Sequence, residues 1–444
     1  MNKKVSVSIL VTVVIIAMTV TFSITMVAAM RMFDQTVASV KEKESMYAKL
    51  AEIDRYVRDS DYYTADEDTL NDMLASGYML GSGDKYARYY TASAYTELVQ
   101  IQNGTLMGIG VDVVKDSVTG YAKVIKVYSG SPAQDLGMTA GCYIIMIDDT
   151  DVKNLSSTDS ITSRLRGENG TNVSIVWRNL EATESTNTIT RRSYQVTTVE
   201  SQMIGGVCGY IRIRSFAEGT ASELDYAIST LTAQGAQSLL FDLRDNTGAD
   251  LDAAMECIDL VCPDGVIASA QYRDGTTEVL ANSSGDTAVS LPIVCLVNGS
   301  TASGAELFAA SARLLSGARL VGTTTAGRGT IQGDPKLLSD GSAVVLTVAQ
   351  LLCSDGSCFE GTGLTVDTES ALSADEQIMY YDFTVENDPQ ILRAFTVANA
   401  LTGNSTVGAS ASSAAASSAA ASEAASSEAA SSEAASSEAD SSES

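Results

Sequence analysis

The residues whose types and spacing suit chemistry lie in three short runs. They are Leu240-Phe241-Asp242-Leu243-Arg244-Asp245-Asn246-Thr247-Gly248, Val297-Asn298-Gly299-Ser300-Thr301-Ala302-Ser303-Gly304-Ala305-Glu306 and Thr325-Ala326-Gly327-Arg328-Gly329-Thr330-Ile331-Gln332. Ser303 follows a strand-like run at 293–298 and opens a helix. Its hydroxyl is therefore expected at a sharp turn beside a helix N-terminus, which favours a developing anion. The ordinary alternative for such a serine is a helix N-cap. The 444-residue chain contains no histidine. That excludes a Ser-His-Asp triad, a Cys-His pair and every His-ligated metal site. No two of the seven cysteines have zinc-ribbon spacing, so neither a metal nor another cofactor is expected. With 28 Lys+Arg against 55 Asp+Glu the net charge is −27. Nucleic acid, which calls for a basic footprint, is not an expected partner.

The elements that must position these runs follow from composition and periodicity. Lys3 and Lys4 precede an uncharged run at 5–30, closed by Arg31. That is longer than the ~20 residues a membrane-crossing helix needs. The run predicts an uncleaved anchor with residues 1–4 in the cytoplasm and the bulk of the chain outside the cell. Val27-Ala28-Ala29 leaves cleavage as the alternative. Residues 31–96 read as helical, and the stretch at 34–49 is suited to pairing with a second copy. Residues 97–195 read as short strands with Gly-rich turns, among them 107–114. Residues 196–402 alternate strands and helices, which predicts an α/β layer architecture. From 403 to 444 the chain is mostly Ser, Ala and Glu, without aromatic residues, Lys or Arg, the composition of a disordered tail. Cys353 and Cys358 flank an Asp355-Gly356 turn signal and are placed to bridge across a hairpin outside the cell. The other five cysteines sit in apolar runs and are expected to be buried.

Residues 97–195 resemble a PDZ domain. Gly108-Ile109-Gly110-Val111 is similar to its carboxylate-binding loop, and Ser131-Pro132-Ala133 through Ala140-Gly141 to the turn and short helix that follow. The resemblance implies that backbone N–H groups of that loop cap a peptide's C-terminal carboxylate while the peptide adds as a strand. The three runs of the opening paragraph, with Gly209-Tyr210-Ile211-Arg212-Ile213, Ser339-Asp340-Gly341-Ser342 and Gly361-Thr362-Gly363, resemble the C-terminal processing peptidases, or tail-specific proteases. This implies a crotonase-like sandwich with an inserted PDZ domain. It also implies Ser303 as nucleophile, Gln332 as supporting residue, and the N–H groups of Gly248 and Gly304 as oxyanion donors. The general base of that family is a lysine 25 positions after the serine, and here that position is Arg328.

A lysine can lose its proton when desolvated, whereas an arginine guanidinium stays protonated in proteins. Arg328 therefore cannot take a proton from Ser303. Loss of one member of a catalytic set commonly leaves about 10³–10⁴-fold acceleration over water, close to nothing for proteolysis. Lys336, the only lysine after Lys153, lies eight positions on, about 26 Å along an extended strand. Asp245 replaces the family's first Asn of this loop and is expected to cap a turn or pair with Arg244. Thr247 and Ala249 replace a Pro and a Gly, and a residue with a Cβ resists φ > 0. Three readings stay open. One is a membrane-tethered degenerate protease that holds peptide C-termini without cutting. Another is an active serine endopeptidase with a relocated base, and the last a structural envelope protein with Ser303 as an N-cap. An Arg328→Lys change creates activity only if the rest of the site is intact.

Overall fold

The computed structural model describes residues 7–287 and 289–403. The expected cytoplasmic residues 1–4 and the expected tail beyond Gly403 lie outside the described residues. The expected anchor at 5–30 lies partly outside them, its remainder falling in α1 (Val7–Ser60). Among the described residues no helix is long and apolar enough to cross a membrane. The described residues divide into two compact units, which part between Tyr78 and Met79. In the first, α1 is followed by α2 (Glu67–Gly81), and Arg58 joins them by pairing with Asp54 at 2.7 Å and Glu67 at 2.5 Å.

The second unit opens with β1 (Arg88–Tyr90) and α3 (Ala92–Gln102). β1 was expected to be helical, but its aromatic residues favour a pleated surface. Its ladder partner, residues 343–345, is some 250 positions away and invisible to local periodicity. A β-rich module follows, made of β2 (Thr105–Gly108), β3 (Val111–Lys115), β4 (Ala122–Val127), α4 (Pro132–Asp135), β5 (Tyr143–Ile147), β6 (Thr150–Asp151), α5 (Thr158–Leu165), β7 (Asn172–Arg178), β8 (Glu184–Thr190) and β9 (Arg192–Gln195). Its main sheet runs β3-β4-β5-β7-β8, with β3 at an edge, while β2 pairs with β9. It has its own core, in which Ile144, Ile147, Ile161 and Ile175 are fully buried. The single strand expected at 107–114 is two strands, split at Gly108-Ile109-Gly110. Gly110 turns there with φ +83°, and a Cβ on it would lie 2.0 Å from Ser131 Cβ, so only glycine fits.

The remaining chain builds a mixed α/β layer structure. Its strands and helices are β10 (Val199–Ile204), β11 (Cys208–Ile213), α6 (Thr220–Ala233), β12 (Ser238–Asp242), α7 (Leu251–Asp259), β13 (Gly265–Tyr272), β14 (Thr277–Ser283), β15 (Ile293–Val297), α8 (Gly304–Ser316), β16 (Arg319–Gly322), β17 (Thr330–Gln332), β18 (Lys336–Leu337), β19 (Ala343–Val345), β20 (Thr347–Leu352), β21 (Thr368–Glu369), α9 (Ala374–Ile378) and α10 (Pro389–Leu401). The central sheet runs β10-β11-β12-β15-β16-β21, parallel from β11 onward. Every residue of β12 and β15 is buried, because helices cover both faces and such strands read as continuous apolar runs. α6, α7 and α8 pack on one face, where Phe308 of α8 meets Phe216 and Phe241 with centroids 6.1 and 5.2 Å away. α10 covers the other face with Ile391, Ala394 and Phe395. A second sheet, β14-β13-β20-β17, carries the end of the third sequence run.

All seven cysteines are free. Five are buried in the cores as expected. The expected Cys353–Cys358 bridge is absent, and the turn explains why. Cys353 N–H donates to Ser357 O at 2.8 Å, so Ser357, not Cys358, stands opposite Cys353. Cys353 packs into the core, while Cys358 Sγ lies 3.5 Å from Gly329 O.

Candidate active site

Ser303 sits where β15 hands the chain to α8. The intervening turn is tied to the neighbouring loop: Thr301 Oγ1 donates to Leu243 O at 2.8 Å, and Ala302 N–H to Asn246 O at 2.9 Å. At its end Ser303 has φ +55° and ψ −118°. For a residue with a Cβ such a conformation costs about 1–3 kcal/mol and persists only where the surroundings impose it. The expected sharp turn is therefore present.

Glu306 supplies that constraint. It lies in the first turn of α8 and is completely buried. Its Oε2 accepts the N–H of Ser303 at 3.0 Å and of Arg328 at 2.8 Å. Its Oε1 accepts the N–H of Gly327 at 2.7 Å and the Thr325 hydroxyl. Ser303 N and Arg328 N share one oxygen, so they are no more than about 6 Å apart. The carboxylate thus fastens the Ser303 turn to the Arg328 segment. Sequence reasoning assigned Glu306 no role, although a glutamate three residues after a helix-opening serine is a capping-box signal.

Gly248 is pressed against the same turn. A Cβ on it would lie 2.9 Å from Ser303 Cβ and 2.8 Å from Gly304 N, with φ at +97°. Gly248, Ser303 and Gly304 are therefore brought together. However, Gly248 N–H donates to Asn246 Oδ1 at 2.9 Å, which removes it as a free oxyanion donor. Gly304 N–H, at the first position of α8 where no intrahelical acceptor exists, makes no hydrogen bond among the described residues. Ala249 takes φ +67° and Asp245 φ +62°. The expectation that Ala249 resists this region is overturned, because the loop imposes it: Phe216 N–H binds Gly248 O and Asp250 N–H binds Phe216 O, holding Ala249 between them.

Arg328 turns its guanidinium over the Tyr86 ring, 5.0 Å from the centroid, and its buried Nε has no hydrogen-bond partner. Among the described residues no carboxylate lies within 4 Å of its charge. Gln332 Nε2 donates to Thr347 Oγ1 at 3.1 Å and Thr330 Oγ1 at 3.3 Å, and its buried Oε1 is unpartnered. Lys336 is exposed on β18, in a different sheet from β17 and Gln332. Lys85 comes near instead: its Nζ is 2.6 Å from Glu360 Oε1 and 4.6 Å from the Tyr86 centroid. The hydrogen bond and charge of Glu360 raise the Lys85 ammonium above its ordinary range, opposite to what a base requires.

Asp245 does not pair with Arg244. It accepts Asn298 Nδ2 at 2.8 Å and the Tyr380 hydroxyl at 2.6 Å. Arg244 is buried among Asp242 at 2.7 Å, Asp388 at 2.9 Å and Gln390 at 3.0 Å. Asp245 also borders a cavity of about 270 Å³ with Tyr128, Arg166 and Arg214, so the Gly248 loop opens toward the β-rich module. In that module Gly108, Ile109, Gly110 and Val111 form the turn from β2 into the edge strand β3. α5 lies along that edge: Lys115 N–H donates to Thr158 Oγ1 at 3.0 Å, and Gly108 bridges Arg166.

Among known proteins, residues 207–370 match the family described as Peptidase family S41. The chain is 30% identical over 345 residues to the carboxy-terminal processing protease CtpA of Bacillus subtilis, covering 78% of this chain and 73% of that one. It is 32% identical over 279 residues to the carboxyl-terminal-processing protease of Synechocystis sp., covering 61% and 64%. A solved structure from Bacteroides fragilis described as an S41 protease has a TM-score of 0.51 at 18% identity. It covers 77% of this chain and 92% of that one, a likeness of fold.

Proposed function

Given that the chain belongs to peptidase family S41, we propose that it holds the C-terminal ends of peptides and does not cut them. The observation that carries this reading is Arg328. A permanently protonated group occupies the place of the base and is stacked on Tyr86. The tying of Gly248 N–H to Asn246 and the protonating environment of Lys85 point the same way. Residues 97–195 serve as the PDZ domain, with the loop Gly108–Val111 capping the terminal carboxylate. Residues 5–30 tether the chain to the cell membrane as a single pass, with the bulk outside the cell.

The test is binding of a fluorescent peptide to the full chain in detergent, with a free α-carboxyl or with the carboxyl amidated. The amide is expected to bind at least about tenfold more weakly, the loss of a charge-assisted set of N–H contacts. The bound peptide is expected to stay intact by mass spectrometry. Equal binding of acid and amide, or shortening of the peptide, would overturn the reading.

One observation favours a second reading, an active serine endopeptidase using Ser303 with a relocated base. Ser303 keeps a strained backbone that an N-cap does not need, since N-caps ordinarily lie in the β region.

A further inference from the structure

Three consecutive residues between α2 and β1 touch three parts of the site. Asp84 accepts Thr347 N–H at 2.8 Å and the Thr347 hydroxyl at 2.9 Å, and that hydroxyl accepts Gln332 Nε2 at 3.1 Å. Lys85 pairs with Glu360, whose Oε2 accepts Gly329 N–H at 2.8 Å. Tyr86 presents its ring to Arg328, with its hydroxyl 3.4 Å from both Glu360 oxygens and 3.5 Å from Gly327 O. Asp84 Oδ1 also accepts Tyr86 N–H at 3.0 Å, bracing the segment.

We infer that Tyr86 is a positioning residue for the side chain at 328, and that Asp84 and Lys85 clasp the 329–332 segment so that the ring stays in place. The face of an aromatic ring attracts a cation. Arg328 has no carboxylate within reach among the described residues, so the ring is the partner its charge has here. Asp84 and Lys85 hold the two ends of the 329–332 segment, at Gln332 through Thr347 and at Gly329 through Glu360. With both ends held, the residue between the turn and the strand, Arg328, has its Cα fixed opposite the ring. The inference rests on the placing of residue 328 in the site. It does not depend on whether the site cuts, and its test reads the segment itself, not peptide binding.

The experiment is hydrogen exchange by mass spectrometry on the full chain, following residues 327–332 and 84–90, with β12 as a reference for global opening. Tyr86→Leu and Arg328→Met are each expected to speed exchange at 327–332 about fivefold, the effect of a partly desolvated cation–ring contact. Tyr86→Phe, which keeps the ring, is expected to stay within about twofold of native. The double variant is expected to exchange no faster than the faster single variant, because both changes remove the same contact. Multiplying effects in the double variant, or Tyr86→Phe as fast as Tyr86→Leu, would overturn the inference. Should Tyr86→Leu open β12 as well, Arg328→Met decides alone. It must speed exchange at 84–90, and unchanged exchange there overturns the inference.

Discussion

Replacing Glu306 with leucine is expected to cost about 3 kcal/mol or more, a large share of the 5–15 kcal/mol that holds a domain together. The side chain is completely buried, and its two oxygens accept three backbone N–H groups and one hydroxyl. Leucine has similar bulk and accepts none of them. Each buried donor left without an acceptor costs about 1–3 kcal/mol, so three amides alone reach the stated loss. Glu306→Gln is expected to fall between. Its NH₂ must face one of two pairs of donors: Ser303 and Arg328 on one oxygen, or Gly327 and Thr325 on the other. The check is the urea midpoint of the full chain by circular dichroism. A loss under about 1 kcal/mol for Glu306→Leu would mean that the Ser303 turn and the Arg328 segment hold their geometry without the carboxylate.

The second large effect is expected at Arg244. Its guanidinium is buried and binds Asp242 through two nitrogens at 2.9 and 2.7 Å, with Asp388 and Gln390 on the third. Removing one member of a buried ionic set costs about 3–5 kcal/mol, because the remaining charges lose their compensation. Arg244→Met is expected to lose that much at neutral pH. The loss carries a pH signature. Burial by itself would raise the Asp242 carboxyl, but the charges of Arg244 and Arg212 outweigh it and hold the group at about 2. A carboxyl lowered in the folded state adds stability above its ordinary range near pH 4. That contribution disappears as the pH falls through about 2. Without Arg244 the largest of the lowering influences is gone, the carboxyl rises, and protonation relieves the unpaired charge. The gap between native and Arg244→Met is therefore expected to be larger at pH 7 than at pH 3. Urea titrations at both pH values measure it, and a gap that widens toward acid would contradict this assignment.

Much of the architecture was legible because it depends on local pattern. The fully buried strands β12 and β15 read as apolar runs. The expected alternation of strands and helices over 196–402 is present from β10 to α10, and the helix expected to open at Ser303 corresponds to α8. The Ser303 turn was legible for the same reason, since an apolar strand running into a Gly-Ala-Glu helix start leaves few other paths. What was not legible depends on residues far apart in the chain. Tyr86, Glu360 and Arg328 meet across more than 240 positions, and no spacing rule connects them. The engagement of Gly248 N–H by Asn246 turns on a side-chain rotamer two residues away. The Cys353–Cys358 pairing failed by one residue of register, which moves a side chain off its partner. Ala249 at φ +67° shows a propensity overruled by the hydrogen bonds on either side of it.

The central claim is that Ser303 has lost its base to Arg328. It is tested most directly by treating the full chain with a fluorophosphonate serine probe and an unstructured protein substrate, beside the Ser303→Ala variant. The native chain is expected to match Ser303→Ala in both labelling and cleavage. Labelling and cleavage by the native chain that vanish in Ser303→Ala would contradict the account.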